Sequence, residues 1–139
     1  MKAELILLFI FGHLVGDFLL QTNWMALNKK KNIMACIAHC IVYSIIVLLF
    51  TSAYIFSFFQ YVSLFFLVFA SHFILDYTNI IERWLHLIGS RSYENCVNRS
   101  YVTEIEKQFA ISYTAIVQTV ADNTLHLIML YYIFKRGLL

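Results

Sequence analysis

The sequence predicts an all-α integral membrane protein: a four-helix bundle with an amphipathic cytoplasmic connector between its third and fourth spans. Three observations carry that prediction. The chain is 61% hydrophobic and only 13% charged, roughly half the charge of an ordinary soluble domain. Its apolar residues fall into four long segments, each near the ~17–25 residues that a spanning helix needs. Proline is absent, which suits uninterrupted helices. A water-soluble fold of 139 residues could not hide this much apolar surface, so the bilayer is the expected solvent and partner. The length suits one transmembrane domain, residues 1–139.

The first apolar segment runs from about Glu4 to Gln21. It reads as a retained helix and not as a cleaved leader. Lys2 gives only a weak basic start, the run contains His13 and Asp17, and no small-residue cleavage site follows. Gly12 and Gly16, four residues apart, allow close approach of another helix. A polar loop, about Thr22 to Asn32, carries Lys29, Lys30 and Lys31. The second segment spans about Ile33 to Phe50. A short turn near Thr51–Ala53 leads to the third, about Tyr54 to Tyr77, which implies an antiparallel hairpin. Ile80 to Ile88 is amphipathic and suits the membrane interface, until Gly89 and Ser90 break it. A soluble helical connector then leads into the fourth segment, about Tyr113 to Phe134, closed by Lys135 and Arg136. Trp24 and Trp84 read as interfacial anchors, and His86 as a solvated interface residue.

Loop charge sets the expected orientation. Lys29, Lys30 and Lys31 in the first loop and Arg83, Arg91, Arg99 and Lys107 in the third outweigh Lys2, Lys135 and Arg136 on the other side. Basic loops favour the cytoplasm, so both termini are expected outside. The net charge of +2, with basic residues in loops and not in one patch, gives no basis for nucleic-acid binding. Cys36, Cys40 and Cys96 are an odd count without a disulfide framework. Cys36 and Cys40 are expected as reduced, packed thiols beside His39; the alternative is a soft-metal site on that helix face.

The most specific feature is a threefold one. His13 and Asp17, His72 and Asp76, and Asp122 and His126 each lie four residues apart in an apolar segment. That step places both side chains on one helix face, one turn apart. The first segment reads His13, Asp17, Gln21 and the fourth Gln118, Asp122, His126, the same series reversed. In a bundle of alternating direction the reversal puts each His on the same membrane side of its Asp. His72 and Asp76 obey the same order, giving a layer of imidazoles over a layer of carboxylates.

Ionisable side chains are costly in lipid and therefore point to function. Imidazole and carboxylate together are ligands for zinc and other divalent metals, and helical bundles build such centres from facing helices. The candidate metal ligands are His13, Asp17, His39, His72, Asp76, Asp122 and His126. Seven are enough for one or two ions, and two-metal centres are typical of phosphoester hydrolysis, with water as nucleophile. Asp17 or Asp122 is the candidate catalytic base, and Gln21, Asn79, Gln118 and Asn123 are candidate outer contacts, with Tyr43 one turn after His39. The rival readings are a proton or ion pathway, or a structural membrane protein acting through a partner, with the pairs as hydrogen-bonding glue between helices.

The runs GHLVGDFLLQT, SHFILDYTN and ADNTLH resemble, over nearly the whole chain, a family of small bacterial and phage inner-membrane proteins of unassigned function. The chain is also similar to membrane-bound metal-dependent hydrolases, and more distantly to the all-helical zinc-dependent phospholipase C and S1/P1 nuclease group. Those soluble enzymes hold a zinc cluster with His and Asp from helices, including His-x-x-x-Asp pairs. The resemblance implies a metal-dependent hydrolase with His13, Asp17, His72, Asp76, Asp122 and His126 as ligands and His39 as an addition. The two-metal chemistry points to a phosphoester substrate, either a lipid headgroup or a nucleotide derivative. The resemblance also implies a multi-pass location in the bacterial inner membrane, or a host membrane for a phage protein, and is compatible with a homo-oligomer. The soluble enzymes use an N-terminal Trp as a ligand, whereas this chain begins Met1-Lys2.

Overall fold

The computed structural model describes residues 3–88, 100–101 and 103–137. Every regular element among the described residues is helical. The α-helices are α1 (Ala3–Leu14), α2 (Asn23–Asn28), α3 (Ile33–Thr51), α4 (Phe58–Tyr77), α5 (Ile80–Leu87) and α6 (Glu104–Gly137). A π-helical turn, Val15–Leu19, continues α1, and a 3-10 turn, Ser52–Tyr54, follows α3. The expected break at Gly89 and Ser90, and Arg91, Cys96 and Arg99, lie outside the described residues.

Side-chain caps explain where these elements begin. Thr22 caps α2, its Oγ1 accepting from the Met25 N–H at 3.3 Å, and Asn32 caps α3 through Met34 at 2.9 Å. The first loop therefore contains a helix that the polar run Thr22 to Asn32 did not lead one to expect. Ser57 accepts from the Gln60 N–H at 3.1 Å while the Gln60 side chain accepts from the Phe56 N–H at 3.0 Å. This Ser-x-x-Gln arrangement starts α4 at Phe58 and not at Tyr54. Thr103 and Glu106 form a reciprocal capping box, both bonds 3.2 Å. From there α6 runs for 34 residues without a break at Tyr113, since neither proline nor glycine interrupts residues 104–136.

The contacts divide the chain into two compact units, Met1–Tyr77 with His126–Leu139, and Thr78–Leu125. In the first unit α3 packs between α1 and α4. A Cβ added at Gly12 would come within 3.0 Å of the Val47 Cα, and one at Gly16 within 3.0 Å of the Tyr43 ring. The two glycines thus let α1 lie directly on α3. The apolar core of this unit is Leu5, Phe9, Tyr43, Val47, Leu48, Leu64, Val68, Leu130 and Phe134, with the Phe9 and Phe134 rings stacked at 5.9 Å. Among the described residues, two stretches are long and apolar enough to cross a membrane, Ile33–Tyr54 and Phe58–Tyr77. Their outer faces carry exposed Ile45, Leu49, Phe58, Phe59, Phe66 and Ile74.

In the second unit α5 buries Ile81 and Leu85 and exposes Ile80, Trp84 and Leu87. His86 is exposed, as expected. The Gln118 amide on α6 donates to the Glu82 carboxylate on α5, which ties the two elements of that unit together.

Candidate metal centre

Three helices and one loop of the first unit bring their polar groups to a single buried place. Asp17 comes from the π turn that ends the first helix, closed by the Leu20 N–H bonding to the Val15 carbonyl at 3.0 Å. Such wide turns recur at functional sites. His39 comes from α3. His72 and Asp76 come from one face of α4, four residues apart. Lys29 is the residue that caps the C-terminal end of α2. The two carboxylates and the His39 and His72 imidazoles are 0–4% exposed, whereas Lys29 is 16% exposed.

His39 Nε2 is the hub. It lies 3.1 Å from Asp17 Oδ1, 3.2 Å from Asp76 Oδ2 and 2.9 Å from His72 Nε2. His72 Nε2 is in turn 3.3 Å from Asp76 Oδ2 and 3.8 Å from Asp17 Oδ1. A single imidazole nitrogen carries at most one proton, so His39 Nε2 can donate to only one of its three neighbours. A shared cation would account for all of these contacts at once. Bonds of ~2.0–2.2 Å to a tetrahedral metal place its ligands about 3.3–3.6 Å apart, close to the separations found. Asp17, His39, His72 and Asp76, whose ligand atoms all lie within 4.8 Å of one another, could hold a metal ion. Two nitrogens and two oxygens are a donor set for zinc and other first-row divalent cations.

The surroundings fix these groups. Lys29 Nζ lies 2.8 Å from Asp76 Oδ2 and 3.8 Å from Asp17 Oδ1. The Gln21 amide bridges the rim: its oxygen accepts from Lys29 Nζ at 3.1 Å and its nitrogen donates to the Asp17 carbonyl at 3.3 Å. The Tyr43 ring stacks on the His72 imidazole at 3.5 Å and 13°. His72 Nδ1 has no hydrogen-bond partner among the described residues, so stacking orients that ring.

The remaining expected ligands lie outside that four-donor group. His13 bonds Tyr43 through Nδ1 at 2.9 Å and stacks against His126 at 5.6 Å, outside the four-donor group. The four-residue step does not bring His13 and Asp17 to the same place, because the wider π turn intervenes and turns Asp17 away from its α-helical position. His126 Nε2 lies 3.7 Å from Asp76 Oδ1, and its ring centroid 4.3 Å from that of His72. These imidazoles form a second tier. Asp122 is half-buried one turn before His126 on α6, within the unit Thr78–Leu125. Of the expected outer contacts, Gln21 reaches the donor group. Gln118 bonds Glu82, Asn123 donates to the Thr119 carbonyl at 2.7 Å, and Asn79 is exposed.

Lys29 is the group that sequence reasoning missed, since all three lysines of the run were read for topology alone. Cys36 and Cys40 are buried free thiols with Sγ atoms 3.9 Å apart, matching packed, reduced cysteines.

No curated protein and no solved structure matches the chain. A family model described as a protein of unknown function, DUF3307, matches residues 5–137. With nearly the whole sequence inside that match, the chain belongs to the DUF3307 family.

Proposed function

We propose that this protein is a multi-pass membrane protein whose buried centre binds a divalent metal, zinc by its donor set, and hydrolyses phosphoesters. The observation that carries the reading is the convergence of Asp17 Oδ1, His39 Nε2, His72 Nε2 and Asp76 Oδ2 on one tetrahedron-sized space. Four spans are proposed: the first helix with its π turn, α3, α4 and the second half of α6. Exposed large apolar side chains on α3 and α4 support lipid contact, because water-soluble surfaces rarely gather so many. The location proposed is the bacterial cytoplasmic membrane, or a host membrane for a phage-borne copy.

Bound there, a divalent cation would stabilise charge on a phosphoryl oxygen and make water a better nucleophile at neutral pH. The protein's own groups do the rest. The fixed imidazoles of His39 and His72, the Asp76 carboxylate and Asp17 Oδ1 hold the centre. Asp17 takes the proton given up by the attacking water through its other oxygen, Oδ2. The water oxygen forms the new bond to phosphorus, the ester oxygen leaves with its electron pair, and the alcohol departs with that proton. The experiment is to purify the chain in detergent without chelator, measure metal by elemental analysis, and assay hydrolysis of bis(4-nitrophenyl) phosphate. The expected result is bound metal and turnover in the wild type, both lost in Asp76→Asn. Absence of metal, together with no change in melting temperature on adding zinc or manganese, would end the reading.

A proton-relay reading draws on one specific observation, the 2.9 Å contact between His39 Nε2 and His72 Nε2, which continues through the His126 and His13 rings to Tyr43. Tyr43 itself belongs to the apolar core with Phe9, Val47 and Leu48. A path across the membrane needs polar groups beyond that point. Proton flux into liposomes without added metal would favour the relay.

A further inference from the structure

Lys29 competes for the atoms that would hold the metal. Its Nζ lies 2.8 Å from Asp76 Oδ2 and 3.8 Å from Asp17 Oδ1. Those are the same two oxygens that face His39 Nε2 in the four-donor group. The ammonium is held there. Its backbone N–H closes α2 on the Met25 carbonyl at 2.9 Å, and the Gln21 amide oxygen accepts from Nζ at 3.1 Å. Lys30 and Lys31, next in the chain, are exposed, so the end of α2 turns one lysine of the run inward.

The charges at the centre show what that lysine does. Asp122, one turn before His126 on the unbroken helix α6, brings a third carboxylate within ligand distance of Asp76 and His126. Imidazoles that ligate a metal are neutral. Three carboxylates and one ammonium therefore leave two negative charges, which one divalent cation cancels. A second ion would leave two positive charges in a nearly dry space, where unbalanced charge is costly. The cation and Lys29 can be bound together, because a carboxylate oxygen has two lone pairs. Sharing an oxygen, the two positive centres repel each other at short range.

We propose that Lys29 is an internal cation that limits this centre to one divalent ion and holds that ion loosely enough to exchange. The inference rests on the metal reading above and deepens it. Lys29 does by its charge what a second ion would otherwise do, and its repulsion weakens the hold on the first. Without a metal, the same ammonium keeps the buried Asp17 and Asp76 carboxylates from facing each other unpaired. Removing it should therefore act in opposite directions on metal affinity and on the stability of the metal-free chain. A lysine that merely positions the carboxylates would lower both.

The test uses the full chain, purified in detergent. Zinc affinity is read by competition with a chelator of known affinity, zinc content by elemental analysis, and melting temperature by circular dichroism before and after metal removal. The wild type should hold one zinc ion per chain. Lys29→Gln should bind zinc about ten- to a hundredfold more tightly and melt at a lower temperature once stripped of metal. Lys29→Arg, which keeps the charge, should stay closer to the wild type than Lys29→Gln does, and Lys30→Gln should match the wild type. A second measurement does not depend on any variant folding. Acetylation of the wild-type lysines, read by mass spectrometry, should be faster at Lys29 in zinc-loaded than in metal-free protein and equal at Lys30, because the metal's charge loosens the ammonium from the carboxylates. Weaker or unchanged zinc affinity in Lys29→Gln, two zinc ions per wild-type chain, or Lys29 acetylation that zinc does not speed overturns this inference and leaves the metal reading standing. Wild-type protein that binds no zinc overturns both.

Discussion

α3 passes through two regions that are equally dry and chemically opposite. Around Val47 and Leu48 it meets Leu5, Phe9, Leu64, Val68, Leu130 and Phe134, contacts that hold helices together by shape alone. A little over two turns earlier, His39 meets Asp17, His72 and Asp76. Side chains of the first kind cost nothing to bury in lipid. Those of the second kind cost several kcal/mol per charge unless neutralised. A helix bundle of this size needs only the first region to fold. The second is therefore expected to be retained for what it binds, and the two regions should answer differently to substitution.

The largest difference is expected at the hub. His39→Ala removes the nitrogen shared by three neighbours and should lower metal affinity by more than the ~10–100-fold typical of outer partners. Helical content by circular dichroism should not change. Metal retained at wild-type affinity would mean that the polar region is packing like any other. In the apolar region, Phe9→Ala should cost stability and leave metal stoichiometry alone. In water such a change costs ~3–5 kcal/mol. In a membrane the lost packing remains but transfer from water does not, so about 1–3 kcal/mol is expected from detergent-unfolding curves. Loss of metal in that variant would erase the distinction between the regions.

Gly16 joins the two, because it touches Tyr43 and adjoins Asp17. Gly16→Ala puts a methyl group 3.0 Å from the Tyr43 ring and 3.3 Å from its Cα. The Tyr43 ring and its backbone must give by a few tenths of an ångström, at a cost of roughly 1–3 kcal/mol. Metal affinity should fall with stability here, unlike in Phe9→Ala. The smallest effect is expected for Tyr43→Phe, which keeps the ring on His72 and deletes the hydroxyl bonded to His13. It should cost about 1 kcal/mol with metal content intact. Loss of metal there would place His13 among the ligands after all.

Much of this arrangement was legible in the sequence and some was not, for identifiable reasons. The His72 and Asp76 pair and His39 stand out because ionisable residues are rare in apolar helices and because a regular α-helix keeps four-residue neighbours on one face. Gly12 and Gly16 signal close helix approach for the same reason. The π turn at Val15–Leu19 breaks that regularity without any proline to announce it, so His13 was expected beside Asp17 and instead bonds Tyr43. Lys29 could not be singled out, since Lys29, Lys30 and Lys31 are alike in one dimension. Only the turn of α2 selects the first of them. Ser57 and Gln60, and Thr103 and Glu106, carry capping signatures in their spacing, and reading them would have corrected the start of α4 and anticipated the start of α6.

The central claim is that two carboxylates and two imidazoles share one divalent cation. X-ray absorption at the zinc edge of the detergent-purified, zinc-loaded chain tests it most directly. The expected spectrum has only nitrogen and oxygen neighbours at ~2.0–2.2 Å, with the outer-shell pattern of two imidazoles. A sulfur shell near ~2.3 Å would move the metal to Cys36 and Cys40, and a chain that binds no zinc would remove the centre altogether.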